Sequence, residues 1–287
     1  MNNNTTVIES QLDWLTCSVE GERKQETLRL AAHRLMALEV TNGARVRPFR
    51  LNGYQGSLAD RVRYGEREDR GLIQLSGDLA HKCFRAMYGR ADHISRIDLA
   101  VTVHFPVYHF GVADVAYHDA KAFHADNPRS AQPRWVQDAD GGQTFYLGDR
   151  SSDYFLRIYD KMHECMAHDD EDAAGRYHNC WRYELEVKGI SAPGVAERLF
   201  DSPNPSGTIR GIVHNYQVGH GLSPAWSLDT PEDPLPGFRR RSDRDTRLAW
   251  LEKSVKPAVA WLLETGPRTD VLERLGLIDL AASEDPT

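Results

Sequence analysis

Tyr154-Phe-Leu-Arg-Ile-Tyr-Asp-Lys161 and Trp181-Arg-Tyr-Glu-Leu-Glu-Val-Lys188 each alternate apolar and ionisable residues. Alternation at every second residue is the pattern of a β-strand, whose successive side chains point to opposite faces. In the first stretch Arg157, Tyr159 and Lys161 share a face, and Leu156, Ile158 and Asp160 take the other. In the second, Arg182, Glu184, Glu186 and Lys188 oppose Tyr183, Leu185 and Val187. Ser95-Arg-Ile-Asp-Leu-Ala-Val-Thr-Val103 does the same, with Arg96, Asp98, Ala100 and Thr102 against Ile97, Leu99, Val101 and Val103. Such strands build an antiparallel sheet with helices on its apolar face and a second face rich in charge.

Outward from these strands the order of elements repeats. Leu12 to Val19 predicts a strand and Glu22 to Leu38 an amphipathic helix with Leu28, Ala31, Ala32, Leu35 and Leu38 on one stripe. Phe49 to Tyr54 and Leu58 to Tyr64 predict a strand pair around Gly56, Gly71 to Ser76 a strand, and Asp78 the start of a helix to Met87. The second half reads alike: strand 95–103, helix 111–124, a strand pair around Gly148, strand 181–188 and helix 193–200. Both glycines are read as turn residues. The expected fold class is α+β: one curved antiparallel sheet from two pseudo-repeated strand-helix-strand-strand-strand-helix halves, about 10–90 and 94–200, with helices on one face. Residues 202–247, rich in Pro, Ser, Gly and charge, read as a linker or irregular segment, and 248–287 as a helical C-terminal extension.

The chain of 287 residues is long enough to bury a sizeable core. No apolar run approaches the ~20 residues that span a bilayer, and Met1-Asn-Asn-Asn-Thr-Thr lacks the basic and apolar parts of a secretory signal, so a cytoplasmic protein without a membrane partner is expected. The cysteines Cys17, Cys83, Cys165 and Cys180 form no C-x-x-C pair, which argues against a zinc ribbon. Net charge is −7, which disfavours tight non-specific nucleic-acid binding. Over residues 45–96, however, Lys and Arg outnumber Asp and Glu, and Arg239-Arg-Arg241 begins a second basic cluster.

The ionisable faces carry what a phosphodiester cleavage needs. Tyr159 is a candidate nucleophile able to form a covalent phosphotyrosine. Asp98, Glu184 and Glu186 are candidate ligands for a divalent cation, Mg²⁺ or Mn²⁺, that polarises phosphoryl oxygens. Arg157, Lys161 and Arg182 could absorb developing negative charge. The other reading of the same acids is cross-strand ion pairing with arginines on a wet face, with Tyr159 structural.

Arg96-Ile-Asp98, Tyr146-Leu-Gly-Asp-Arg-Ser151, Arg157-Ile-Tyr-Asp-Lys161 with Glu164, and Arg182-Tyr-Glu184 resemble, in order and spacing, the replication initiators of rolling-circle plasmids and phages, the Rep_trans type. The resemblance spans roughly residues 10–200 and implies an origin-specific nickase and strand transferase. By it Tyr159 is the nucleophile, leaving a 3′-OH primer and a 5′-phosphotyrosyl link. Asp98 and Glu184 match metal-binding positions, and Arg96, Tyr146, Arg150 and Lys188 are expected to contact DNA. The implied partners are an origin with an inverted repeat, single-stranded DNA at the nick, and a host helicase. A homodimer, or a second tyrosine such as Tyr154, would supply the second nucleophile. Where relatives often carry a second Asp, this chain has Thr102, and Glu186 could substitute. A conjugative relaxase and a non-catalytic DNA-binding regulator on the same fold are the alternatives.

Overall fold

The computed structural model describes residues 5–106 and 111–227. The first half runs β1 (Thr6–Glu20), α1 (Glu22–Thr41), β2 (Arg47–Leu51), β3 (Tyr54–Ala59), β4 (Val62–Arg67), β5 (Arg70–Ser76) and α2 (Gly77–Tyr88). The second runs β6 (His93–His104), α3 (Val112–Asp126), β7 (Pro133–Gln137), β8 (Gln143–Leu147), β9 (Tyr154–Asp160), α4 (Lys161–Ala167), α5 (Glu171–Arg176), β10 (Cys180–Lys188) and α6 (Ser191–Asp201), and is followed by α7 (Pro205–Val218).

These strands form one antiparallel sheet in the order β2-β3-β4-β5-β1-β6-β10-β9-β8-β7. The order reads the same outward from the β1–β6 seam, so the α+β fold and its internal duplication are as expected. Each half has one more strand than expected. Asn52-Gly53, both at positive φ, turns β2 into β3, as an Asn-Gly pair does in a two-residue hairpin. Gly56 therefore lies inside β3 and is not a turn glycine: a Cβ there would sit 2.1 Å from the Tyr64 carbonyl oxygen. Gly148, at φ 94, does leave β8 in a turn conformation.

The apolar face holds Leu15, Ile73, Leu75, Ile97, Leu99, Leu156, Ile158 and Leu185, all at most 1% exposed. Helix α7 corrects the expectation of an irregular segment from residue 202. Pro205 occupies its first turn and the Asn204 side chain accepts from the Gly207 N–H, a helix start rather than a linker. Its Tyr216 stacks on Tyr154, and Trp226 beyond it meets Tyr183 edge-on at 5.1 Å. The rest of the expected linker from 228 and the expected C-terminal helices lie outside the described residues. No helix among the described residues is long and apolar enough to cross a membrane.

Candidate active site

Strand register sets the charged face as rows running across the sheet. One row is Thr102, Arg182, Tyr159 and Thr144; the next is Ala100, Glu184, Arg157, Tyr146 and Arg134. A third is Trp14, Asp98, Glu186 and Phe155, and a fourth Gln74, Thr16, Arg96 and Lys188. The sequence-predicted Tyr159, Arg157, Arg182, Asp98, Glu184 and Glu186 thus meet on three neighbouring strands. Helix α4 overhangs this face, and Tyr159, Arg157, Asp98, Glu184, Tyr146 and His163 are among the residues lining a cavity of about 540 Å³.

The Tyr159 hydroxyl donates to Glu184 Oε2 at 3.2 Å, and Arg157 Nη2 pairs with Glu184 Oε1. Burial pushes the Tyr159 hydroxyl well above its usual pKa, Glu184 adds to that rise, and Arg182 opposes it. Lys161 begins α4 rather than ending the strand; its ammonium lies 6.0 Å from the Tyr159 ring centroid and 2.6 Å from Glu164. Asp160 caps α4, accepting from the His163 N–H at 3.1 Å, with His163 Nδ1 2.9 Å from its other oxygen.

Asp98 is 1% exposed and receives two bonds from Arg96, at 2.8 and 2.5 Å. Burial nevertheless wins over Arg96, and with Glu184 and Glu186 nearby it pushes Asp98 up to about 7. Glu186 is held by Arg96 at 2.8 Å and Lys188 at 2.6 Å. Tyr146 stacks on Phe155 at 5.7 Å and carries Arg134 over its ring at 4.5 Å. Arg150 is exposed, its guanidinium 5.9 Å from Phe155 and its carbonyl accepting from Lys188. Of the four expected DNA contacts, Arg96 and Lys188 thus lie one row beyond Asp98 and Glu186, and Tyr146 lies beside Arg157.

Sequence reading missed the contribution of β1. Irregular register at Val7/Glu9 and Leu12/Trp14 breaks its alternation. Asp13 and Trp14, adjacent in sequence, consequently both line the cavity, as a β-bulge allows. Arg182, 2% exposed, donates to Asp13 at 2.5 Å, Glu9 at 3.0 Å and the Thr102 hydroxyl at 3.4 Å. Thr102 in turn donates to Glu9, so β1 brings a carboxylate beside Thr102. Burial raises the Asp13 pKa from its usual value, Arg182 opposing and Glu184 adding to the rise.

Tyr154, the expected candidate for a second nucleophile, lies away from the charged face. It pairs in register with Val187, and its ring stacks on Tyr216 on the helix-covered face, 5.7 Å between centroids. Burial raises its hydroxyl pKa.

Among the described residues no three His, Cys, Asp or Glu side chains converge as a preformed metal site. The donor chemistry still fits a hard cation: Asp98 and Glu184 present carboxylates to one cavity, and Glu184 adds to the rise in the Asp98 pKa. Glu186 is held by Arg96 and Lys188 and is not among the residues that line that cavity.

The family model described as replication initiation factor, Rep_trans, matches residues 92–275. A rolling circle replication initiator protein from Geobacillus stearothermophilus is similar in structure, with TM-score 0.48 and 19% identity over 80% of this chain and 93% of that one. No curated protein matches.

Proposed function

The chain belongs to the replication initiation factor family, Rep_trans, and from that premise we propose that it nicks one strand of an origin through Tyr159 to start rolling-circle replication. The observation that carries this is the Tyr159 hydroxyl bonded to Glu184, between Arg157 and Arg182, at a cavity that Asp98 also lines.

In this reading Tyr159 Oη attacks phosphorus, forming the Oη–P bond as the P–O3′ bond breaks. Glu184, within hydrogen-bond reach, takes the hydroxyl proton, and the 3′-oxygen leaves as the primer hydroxyl after protonation by water. The strongly raised Tyr159 pKa makes such an acceptor necessary, because the free hydroxyl would hold its proton at neutral pH. Arg157 and Arg182 face the charge that builds on the non-bridging oxygens; the carboxylates around them hold both guanidinium groups charged despite burial. Asp98 and Glu184 are the donors that would hold Mg²⁺ or Mn²⁺, whose chemistry there is polarisation of the phosphoryl oxygens. Arg96, Tyr146, Arg150 and Lys188 would guide the strand to Tyr159, and Lys161 positions its ring. Origin DNA with an inverted repeat, a host helicase and a homodimer complete the proposal.

One observation favours a second reading, a DNA-binding regulator: Asp98, Glu184 and Glu186 all pair with arginines, as a structural role for them requires. Incubating the protein with supercoiled DNA carrying the region upstream of its own gene, with Mg²⁺ or Mn²⁺, separates the two. The nickase gives an open circle with protein on the 5′ end, lost in Tyr159→Phe; binding without cutting by both forms supports the regulator.

A further inference from the structure

The fourth row of the charged face continues past the site into the first half of the sheet. Arg63 of β4 pairs with Gln74, Gln74 with Thr16, Thr16 with Arg96, and Arg96 with Lys188. Five strands at about 4.8 Å spacing make this row roughly 19 Å long. Trp14, of the neighbouring row, stands beside it, the Arg63 and Arg96 guanidinium carbons each 4.8 Å from its ring centroid. Its indole N–H donates to Thr16 Oγ1 at 2.9 Å, and Gln74 donates to the same oxygen at 3.2 Å, so the ring is fixed.

Arg96 and Lys188 are neutralised by Asp98 and Glu186. Arg63 is not. It forms no ion pair among the described residues, and its Nη1 is buried without a hydrogen-bond partner. Burial lowers its pKa; Asp60 opposes this through space, while Arg96 and Arg47 add repulsion. A guanidinium pinned on a ring, desolvated and repelled by its neighbours is costly in the free protein and calls for an anion. Trp14 and Arg96 also line the Tyr159 cavity, so the row is continuous with the site. Both Arg63 and Trp14 lie outside the matched residues 92–275, and the family match assigns them nothing.

We propose that Arg63, set by Trp14, is a phosphate seat for single-stranded DNA, and that the strand entering the Tyr159 cavity runs across the sheet over β1, β5 and β4. The proposal deepens the nickase reading by giving the first half of the duplicated sheet a role in holding substrate.

The test measures binding of labelled 30-nucleotide oligothymidylate by fluorescence anisotropy across a salt series, in full-length Tyr159→Phe protein so that no cutting intervenes. Adding Arg63→Gln should weaken binding about five- to tenfold near 0.1 M salt and reduce the log–log salt slope by roughly 0.7, the share of one single-strand phosphate. Arg63→Lys should keep the slope. Arg63→Met, which keeps the apolar stem over Trp14, replaces the Gln form if that fails to fold. Unchanged affinity and slope overturn the proposal. So does a loss confined to duplex of the same length, or no binding of oligothymidylate by the parent. The nickase reading fails on a different result, cutting of supercoiled DNA by Tyr159→Phe.

Discussion

Replacing Arg182 by Met should destabilise the protein by about 3 kcal/mol, and by more at pH 8 than at pH 4.5. Arg182 is 2% exposed and holds Asp13 at 2.5 Å and Glu9 at 3.0 Å. Removing one partner of a buried pair costs about 3–5 kcal/mol, because the other charge is left uncompensated. The Asp13 and Glu9 side chains are 26% and 28% exposed, so water relaxes part of that cost and the lower end applies. Loss of the 3.4 Å contact to the Thr102 hydroxyl adds less than about 1 kcal/mol. Asp13 sets the pH dependence. Its folded-state pKa is already raised by burial against the pull of Arg182, so the folded state binds its proton more readily than the unfolded chain does. The stability Asp13 contributes is therefore fully present below its unfolded pKa and falls as pH rises through its folded one. Without Arg182 that fall steepens, and acid, by protonating Asp13, restores part of the loss. Urea unfolding at several pH values would read this directly, and thermal melting should show a drop of roughly 6–12 °C near neutrality. A cost under 1 kcal/mol, or one independent of pH, would refute the claim that β1 brings carboxylates into the site to hold a buried guanidinium. Asp13→Asn added to Arg182→Met should recover about 1–2 kcal/mol at pH 8, as expected for two side chains in contact.

Other expectations are simpler. Gly56→Ala places a methyl 2.1 Å from the Tyr64 carbonyl oxygen and 2.8 Å from Gly65 Cα, so β3 must separate from β4; thermal unfolding should show a loss of about 3 kcal/mol, the upper end of ordinary overpacking, and a neutral effect would contradict the register. Tyr154→Phe should leave nicking and the yield of protein–DNA adduct unchanged, since that ring stacks on Tyr216 away from the charged face; loss of rejoining in this variant would restore it as a second nucleophile.

Much of the fold was legible because its central strands are long and strictly alternating. Ile97, Leu99, Leu156, Ile158, Leu185 and Val187 are buried on one face, while Asp98, Arg157, Glu184 and Glu186 meet on the other, as period two dictates. What escaped reading is where that period fails. Bulges in β1 shift parity, so Glu9 and Asp13 could not be assigned to the Tyr159 face from spacing. The edge strand β7 is five residues long and begins with Pro133, leaving little alternation to detect. Asn52-Gly53 is a stronger turn signal than Gly56, because both of its residues adopt the positive φ that a two-residue hairpin requires. Helix α7 was hidden because Pro205 reads as a breaker unless Asn204 is seen as its cap. Arg63 was legible as basic, but its missing partner is a property of packing alone.

The nucleophile is identified most directly by trapping the wild-type protein on an end-labelled origin fragment, digesting the adduct with trypsin and sequencing the nucleotide-bearing peptide by tandem mass spectrometry. With trypsin, which cuts after Arg157 and Lys161, the expected result is one modified peptide, Ile158 to Lys161, with the nucleotide's 5′-phosphate on Tyr159. A nucleotide on any other tyrosine, or no covalent adduct although the DNA is cut, would contradict it.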